Sequence, residues 1–357
     1  MTDNLVGLLG HQANQVPSVR APNGNYEHRE AQKPKGAERI NPFVFSDEFA
    51  LADDAAMLID GYFPASGVNL TFAPKDHFKS FNLTGQLMSI ATGVDWHGYK
   101  VTQGPVIYIA GEGNTGLQKR CMGWCMQNNV DFSKVPIAIC KWPMQVLNDV
   151  DMMQWQDDID AYFVPRYGKP VAIAVDTLAT NFGPGDENSP TDMARFIANL
   201  KRYIEAKYEC SVMVIHHTGH SNKDRARGGS SLEMNAEEVY YLRKPDADQP
   251  MLVELVAKHT KDREKPPPLL MEARVQLMGK IMSNGKEAST LVMVKSLTPL
   301  EEQIRRQYDK GESLREIAES VRITWPKDEG KPPSKSTVGR IVDKLRHQGF
   351  IDIEKDE

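Results

Sequence analysis

Ala73-Pro-Lys-Asp-His-Phe-Lys79-Ser80 decides the fold, because an apolar run precedes this stretch and a helical pattern follows it. A phosphate-binding loop reads G-x-x-x-x-G-K-[ST] between a strand and a helix. Lys79 and Ser80 match the end of that pattern, whereas Ala73 and Phe78 occupy its two glycine positions. Glycine reaches backbone conformations that cost other residues ~1–2 kcal/mol. The stretch is therefore either a working variant of the loop or a decayed one.

The residues of this stretch suit a bound phosphate group. The helix that follows presents free N–H groups and the positive end of its dipole. Lys79 adds a positive charge, and the hydroxyl of Ser80 can reach Mg²⁺. We therefore predict that the whole stretch binds the phosphates of a nucleotide. Its members are Ala73, Pro74, Lys75, Asp76, His77, Phe78, Lys79 and Ser80.

The composition is that of a globular chain with two or three domains, at 357 residues, 40% hydrophobic and 25% charged. A net charge of −5 gives no global basic field, so any surface for nucleic acid must be local. The four cysteines have no metal-binding spacing, and we expect reduced thiols. Neither a membrane-spanning run nor an apolar signal core is present in the sequence, so we expect a cytoplasmic protein.

Apolar runs alternate with helical patterns after the phosphate loop, which predicts an α/β fold with a mostly parallel sheet. The predicted strands are residues 68–72, 106–110, 137–140, 171–175 and 212–215, and the predicted helices are residues 79–92, 117–128, 151–166 and 190–208. Four later runs, at 239–242, 252–257, 269–272 and 291–294, predict antiparallel strands that extend the sheet. Ligands of such sheets lie at the carboxyl ends of the parallel strands.

Three parts follow from the pattern. Residues 1–40 are rich in polar residues, proline and glycine, and we expect a flexible arm. Residues 41–297 form the α/β core. Residues 298–357 carry three helical segments and an alternating run at 350–353, which together predict a winged helix-turn-helix.

Polar residues follow three of the predicted parallel strands. Glu112 follows residues 106–110, Asp176 follows 171–175, and His216 with His217 follows 212–215. Phosphoryl transfer uses a carboxylate at Mg²⁺, a group that orients the attacking water and a polar group at the γ-phosphate. We assign Asp176 to Mg²⁺, Glu112 to the water and one of the two histidines to the phosphate. Taken singly, Asp176 could be a helix cap and Glu112 a solvated turn.

Two other interpretations compete at these positions. The sequence from Gly111 to Gly116 reads G-x-G-x-x-G, the dinucleotide-binding pattern, and Asp131 lies at about the expected distance. However, Asp131 precedes the next strand, and a dinucleotide site leaves Lys79 and Ser80 unexplained. Zinc binding is the second alternative, but adjacent histidines on a strand point to opposite faces and make a poor ligand pair.

Basic residues cluster at two places. Lys223, Arg225 and Arg227 lie in a polar loop after the histidines, which is either a solvated loop or the lining of a nucleic-acid channel. Arg227 could instead point at a nucleotide. Lys335, Arg340 and Lys344 lie on the third helical segment of the C-terminal part, a pattern typical of a recognition helix in the major groove of DNA. A winged helix that binds protein is the alternative there.

Motifs from about residue 60 to residue 272 resemble the RepA-type hexameric helicase ATPases of the RecA/DnaB-like P-loop superfamily. The stretches that carry the resemblance are Phe78-Lys-Ser-Phe81, Ala91-Thr-Gly93 with Trp96-His-Gly98, Gly104-Pro-Val-Ile-Tyr-Ile-Ala-Gly-Glu-Gly113, Asp176-Thr-Leu178 and His216-His-Thr218. Together they cover about 60% of the chain in the family's order.

The resemblance implies a RecA-like core, assembled as a homo-oligomeric ring with ATP between subunits. It places Lys79 and Ser80 at the phosphates and Mg²⁺, and Glu112 as catalytic base. Asp176 takes the Walker B role, and His216 or His217 that of the sensor. A basic finger across the subunit interface corresponds loosely to Lys261 or Arg263. Ala73 departs from the family's loop, and the winged helix lies outside its core pattern.

Our leading hypothesis is an ATP-hydrolysing motor that acts on DNA in phage or plasmid replication or recombination. Single-stranded DNA is expected at the core, with duplex DNA at the winged helix. A non-hydrolysing DNA-binding or loader protein with a degenerate nucleotide site is the alternative, motivated by Ala73 and Phe78. A strand-exchange or mediator ATPase of the same fold is the third hypothesis.

Overall fold

A nine-stranded sheet forms the centre of the part of the chain that the computed structural model describes. The described residues are 56–111, 114–140, 142–219, 225–228, 230–326, 330–347 and 350–351. The predicted arm at residues 1–40 therefore lies outside them.

The strands and helices are as follows. In chain order the strands are β1 (Met57–Ile59), β2 (Phe63–Pro64), β3 (Gly67–Ala73), β4 (Val106–Ala110), β5 (Ile137–Cys140), β6 (Ala172–Asp176), β7 (Ser211–His217), β8 (Glu238–Arg243), β9 (Leu252–Thr260), β10 (Leu269–Ile281) and β11 (Glu287–Lys295). The α-helices are α1 (Lys79–Thr92), α2 (Asn114–Gln127), α3 (Asp149–Asp158), α4 (Val164–Tyr167), α5 (Leu178–Asn181), α6 (Pro190–Asn199), α7 (Ala206–Tyr208), α8 (Ser230–Asn235), α9 (Pro299–Asp309), α10 (Leu314–Thr324) and α11 (Lys335–His347).

The sheet is mixed, with the order β11-β10-β9-β8-β3-β7-β6-β4-β5. The six strands from β8 to β5 in that order pair in parallel, and β9, β10 and β11 add to β8 in antiparallel fashion. The predicted α/β class and the antiparallel extension of the sheet are confirmed. Strand β8 differs, since it pairs with β3 in parallel before the antiparallel part begins.

Continuous burial explains why the parallel strands read as unbroken apolar runs. All seven residues of β3 and all five of β4 are buried, because hydrophobic clusters cover both faces of the sheet. Helices α1 and α2 pack on one face through residues such as Leu87 and Leu117, and α6 packs on the other through Phe196. The carboxyl ends of the strands are left free to carry polar side chains.

Two of the predicted long helices are interrupted. The predicted helix at 151–166 is α3 and α4 joined by a π-helical segment, Ile159–Phe163. The predicted helix at 190–208 is α6 and α7 joined by a second one, Leu200–Glu205. Apolar spacing alone does not distinguish i→i+4 from i→i+5 hydrogen bonding over one turn, which is why the sequence did not indicate these segments.

Helices α9, α10 and α11 pack around a small core of their own, in which Ile304, Ile317 and Val338 are buried. Capping boxes begin α9 at Thr298 and α10 at Ser313. The three predicted helices are thus present. The run expected to form the wing, 350–353, lies largely outside the described residues, so the winged helix stays a prediction. No helix among the described residues is long and apolar enough to cross a bilayer.

Candidate functional site

Strand order gathers the predicted polar residues at one edge of the sheet. Strand β7 lies between β3 and β6, and β4 follows on the other side of β6. The register pairs Ala73 with His217 and Ala110 with Asp176. Residues far apart in the sequence therefore stand side by side in the order Lys79, His217, Asp176 and the end of β4.

Lys79, His217 and Asp176 line one cavity of about 730 Å³. Most of the predicted phosphate loop also lines it. Its lining residues are Lys75, Asp76, His77, Phe78, Lys79, Ser80, Phe81, Arg120, Asp176, Thr177, Ala179, Thr180, His217, Lys244, Pro250 and Met251. Ala73 and Pro74 reach the site through their carbonyl oxygens, which accept hydrogen bonds from Lys79.

The two missing glycines of the loop have different consequences. Phe78 caps the N-terminus of α1 in the left-handed conformation, with φ 57° and ψ 24°. That conformation costs a residue with a side chain about 1–2 kcal/mol. Ala73, in contrast, is the last residue of β3, is fully buried and has no positive φ. The first glycine position is thus filled without backbone strain, and only the second carries it.

Lys79 is held inside the loop. Its ammonium donates to the carbonyl oxygens of Ala73 at 3.0 Å and Pro74 at 2.8 Å, and it lies 3.3 Å from Nδ1 of His217. The residue is only 7% exposed. Burial lowers the pKa of Lys79 to about 8, although Asp176 and Asp76 oppose that shift. A negatively charged ligand in the cavity would restore the charged form.

The two histidines of β7 face opposite sides of the sheet, as the sequence predicts. The His217 ring faces the cavity beside Lys79, and burial lowers its pKa, as does the charge of Lys79. The His216 ring is fully buried on the other side, where Nε2 lies 3.1 Å from the carbonyl oxygen of Arg227. Of the two sensor candidates, only His217 lines the cavity.

Asp176 ends β6 at the edge of the cavity. Its Oδ2 accepts a hydrogen bond of 2.6 Å from the hydroxyl of Tyr108, and its carbonyl oxygen accepts one of 2.7 Å from the N–H of Gly111. Gly111 packs so closely on Thr180 that a Cβ atom there would lie 1.9 Å from the Thr180 hydroxyl. Glu112, the next residue, lies outside the described residues.

Two basic residues that line this cavity belong to no sequence motif and were not predicted. The guanidinium of Arg120 lies 4.3 Å from the ring centroid of Phe81, and the ammonium of Lys244 lies 5.4 Å from that of Phe78. Arg120 makes no ion pair with another described residue. Arg120 lies on α2 and Lys244 directly follows β8, and no spacing rule reveals in advance that both side chains reach the cavity.

Lys261 and Arg263, the candidates for a basic finger, do not line this cavity. Arg263 forms a two-point ion pair with buried Glu238, at 2.7 and 2.9 Å, and donates to the carbonyl oxygens of Gly61 and Tyr62. Its guanidinium is thus engaged within its own chain. Lys261 is 57% exposed and pairs with Glu237 at 3.0 Å.

The loop after β7 is only partly described. Lys223 lies outside the described residues, and Arg225 is exposed. Arg227 forms an ion pair with Glu187 at 2.6 Å and does not line the cavity.

The predicted recognition helix is α11. Lys335 and Arg340 are exposed on it, and Arg340 donates to the hydroxyl of Thr337 at 3.3 Å. Lys344 differs, because its ammonium pairs with Glu301 of α9 at 2.7 Å and so joins two helices of this part.

Comparison with known proteins gives one family and a set of solved structures. Among the structures, the chain is similar to a solved ATPase domain, with 15% identity and a TM-score of 0.44, over 58% of this chain and 81% of that one. No curated protein matches the chain. The model of the AAA domain family matches residues 35–223. Because that match spans more than half of the chain, the protein belongs to the AAA domain family.

Proposed function

We propose that the protein binds and hydrolyses ATP in the cavity around Lys79 and uses this reaction to act on DNA. The observation that carries the proposal is the convergence of Lys79, Ser80, Asp176 and His217 on one cavity at the carboxyl edge of the parallel sheet. This is the edge where ligands of such sheets bind. Membership of the AAA domain family agrees with a nucleotide ligand.

The residues present fit a nucleotide with Mg²⁺. Ser80 and Asp176 both line the cavity, and their side chains are oxygen donors of the kind that Mg²⁺ prefers. When bound, Mg²⁺ would neutralise charge on the phosphates. Lys79 would exchange one of its loop carbonyl oxygens for a phosphate oxygen, and the free N–H groups at the start of α1 would bind another.

His217 is suited to sense the terminal phosphate. The ammonium of Lys79 has only donors, so Nδ1 of His217 accepts from it at 3.3 Å. The neutral ring then carries its proton on Nε2, and the lowered pKa of His217 favours that neutral form. Nε2–H is therefore free to donate to a phosphate oxygen, and loss of that oxygen on hydrolysis would change the contacts of β7.

The catalytic base is proposed from the sequence. The N–H of Gly111 donates to the carbonyl oxygen of Asp176, and Glu112 is the next residue in the sequence. A carboxylate at that point would orient water for attack on the γ-phosphate. Arg120 and Lys244 would add positive charge at the mouth of the cavity.

Contacts with DNA are proposed for cations of α11 and of the loop after β7. We keep Lys335 and Arg340 of α11, as a winged helix on duplex DNA, and Arg225, with Lys223, in the loop after β7 for single strands. Lys344 and Arg227 are omitted because carboxylates already pair with them. For a ring with ATP between subunits, Lys261 is retained as the finger because its side chain is 57% exposed although Glu237 pairs with it, and Arg263 is omitted because its side chain is only 20% exposed. A role in phage or plasmid replication is part of the same proposal.

A non-hydrolysing DNA-binding or loader protein is the second candidate. Lys79 already donates to two carbonyl oxygens of its own loop, and Phe78 carries backbone strain. Both features favour a loop that closes on itself. A recombination mediator with the same degenerate site belongs to this candidate.

ATP hydrolysis with Mg²⁺ distinguishes the two. We expect turnover in the wild type and none above background in Lys79→Ala. Lys100→Ala, an exposed lysine outside the cavity, is the matched control. Glu112→Gln should bind ATP but not hydrolyse it, which separates loss of chemistry from loss of the loop. Equal turnover in the wild type and Lys79→Ala would contradict the proposal, and ATP binding without turnover would favour the second candidate.

A further inference from the structure

Tyr108 is the one polar side chain of β4, and its hydroxyl points at Asp176. In the parallel register Tyr108 lies opposite Ala174, two residues before Asp176 on β6. The side chain is fully buried, and its hydroxyl donates to Oδ2 of Asp176 at 2.6 Å. A distance this short is typical of a hydroxyl that donates to a carboxylate. Phenylalanine would fill the same apolar layer, so packing alone does not require the hydroxyl.

The two carboxylate oxygens of Asp176 differ in their hydrogen bonding. An ionised carboxylate has only acceptors, so the hydroxyl of Tyr108 is the donor in this bond. Oδ2 is therefore engaged from the side of β4. Within the described ranges, Oδ1 accepts no hydrogen bond, and Asp176 lines the cavity.

We infer that Tyr108 is a positioning residue that fixes the Asp176 carboxylate, with Oδ2 held by the hydroxyl and Oδ1 presented to the divalent cation of a bound nucleotide. The inference rests on the proposed function, since it concerns the metal of that same site. Partners of this kind set the orientation of a ligand, and their loss typically weakens metal binding by about 10–100-fold. Tyr108 does not line the cavity, so its hydroxyl would act on the site only through Asp176.

Metal dependence of nucleotide binding tests this role. A fluorescent ADP analogue is titrated with Mg²⁺, and its binding in EDTA gives the metal-free affinity. In Tyr108→Phe we expect the Mg²⁺ concentration at half-saturation to rise about tenfold, with the EDTA affinity changed by less than about twofold. Tyr208→Phe is the matched control, because it loses a hydroxyl that donates to Asp160 at 3.0 Å away from the cavity. The control should match the wild type.

A second pair of variants shows whether Tyr108 acts through Asp176. In an Asp176→Ala background, Tyr108→Phe is expected to change the Mg²⁺ dependence no further. Binding of Mn²⁺ with ADP, followed by electron paramagnetic resonance, should show weaker Mn²⁺ binding in Tyr108→Phe than in Tyr208→Phe, and thermal unfolding shows that both variants fold.

The outcomes separate the inference from the proposed function. If Tyr108→Phe behaves as Tyr208→Phe does, or if it weakens binding equally in EDTA, Tyr108 does not position the metal ligand and the inference is wrong. Nucleotide binding by the wild type without any dependence on Mg²⁺ would also overturn it, while the nucleotide site would stand. Absence of ADP binding in the wild type would overturn the proposed function, and the inference with it.

Discussion

The cations of the cavity and those of α11 differ in how the fold treats them. Lys79 is 7% exposed, its ammonium is fixed by two carbonyl oxygens, and burial lowers its pKa to about 8. Lys335 and Arg340 are exposed on a helix surface. A buried, fixed charge can recognise one phosphate with defined geometry, whereas exposed charges attract a polyanion through a salt-dependent field.

This contrast predicts that the two regions can be disabled separately. The cavity should depend on the position of each atom, and α11 should depend mainly on charge. Four experiments test whether the cavity depends on atomic position and α11 on charge, and the expected change becomes smaller from each experiment to the next.

Loss of the Lys79 ammonium should have the largest effect. We expect Lys79→Ala to weaken ATP binding on the order of a hundredfold or more, because a charge-assisted contact in a buried site is lost. Binding to DNA should stay within about twofold. Both affinities can be measured by fluorescence anisotropy, with Lys100→Ala as control. A parallel loss of DNA binding would show that the two regions are not separable.

Charge reversal on α11 should weaken DNA binding and leave ATP binding unchanged. We expect Lys335→Glu with Arg340→Glu to weaken binding to duplex DNA roughly tenfold or more. The slope of log K against log[salt] should fall by the equivalent of about two phosphate contacts. ATP affinity should not change. Lys280→Glu with Lys286→Glu, exposed at the tip of the β10–β11 hairpin, applies the same change in net charge elsewhere. If that control weakens DNA binding equally, the effect comes from net charge and not from α11.

The affinity of the cavity for a nucleotide should fall as the pH rises. Lys79 loses its charge as the pH rises through its pKa of about 8, so we expect a fall of up to about tenfold in ATP affinity from pH 7 to pH 9. Lys79→Arg should remove the dependence, since arginine stays charged in this range. A wild-type affinity that is flat over these pH values would show that bound ATP does not rely on this ammonium.

The smallest effect concerns the strained loop position. Phe78→Gly and Phe78→Ala lose the same packing on Phe81, but only glycine relieves the left-handed conformation at φ 57°. That conformation costs alanine about 1–2 kcal/mol, partly offset by the greater freedom of glycine in the unfolded chain. We therefore expect the glycine variant to be more stable by up to about 1 kcal/mol in denaturant unfolding. Equal stabilities would mean that the loop relaxes when the ring is removed.

Regular apolar patterns made much of the fold predictable. The bounds of α1, β4 and β5 match the sequence prediction, because Gly93 ends α1 and the two strands are short apolar runs bounded by polar or turn residues. The β1–β2 hairpin and the π-helical segments were not predicted, since short elements and single-turn irregularities leave no periodic signal.

Strand-end positions likewise indicated Asp176 and His217, because ligands of parallel sheets collect at that edge. Partner choice was not predictable. Arg263 and Lys344 are basic in the sequence, yet their pairing with Glu238 and Glu301 depends on strand and helix packing over long separations. The contribution of Tyr108 depends on the register of β4 with β6, which the sequence does not state.

Dependence of ATP turnover on single-stranded DNA tests the central claim most directly, because it asks whether the cavity and the DNA contacts work as one motor. Turnover is measured while DNA is titrated to a concentration at which anisotropy shows it bound, in the wild type and Lys79→Ala. We expect turnover to rise several-fold with DNA in the wild type and to stay at background in Lys79→Ala. Turnover unaffected by bound DNA, or absent from the wild type, would contradict a DNA-dependent motor.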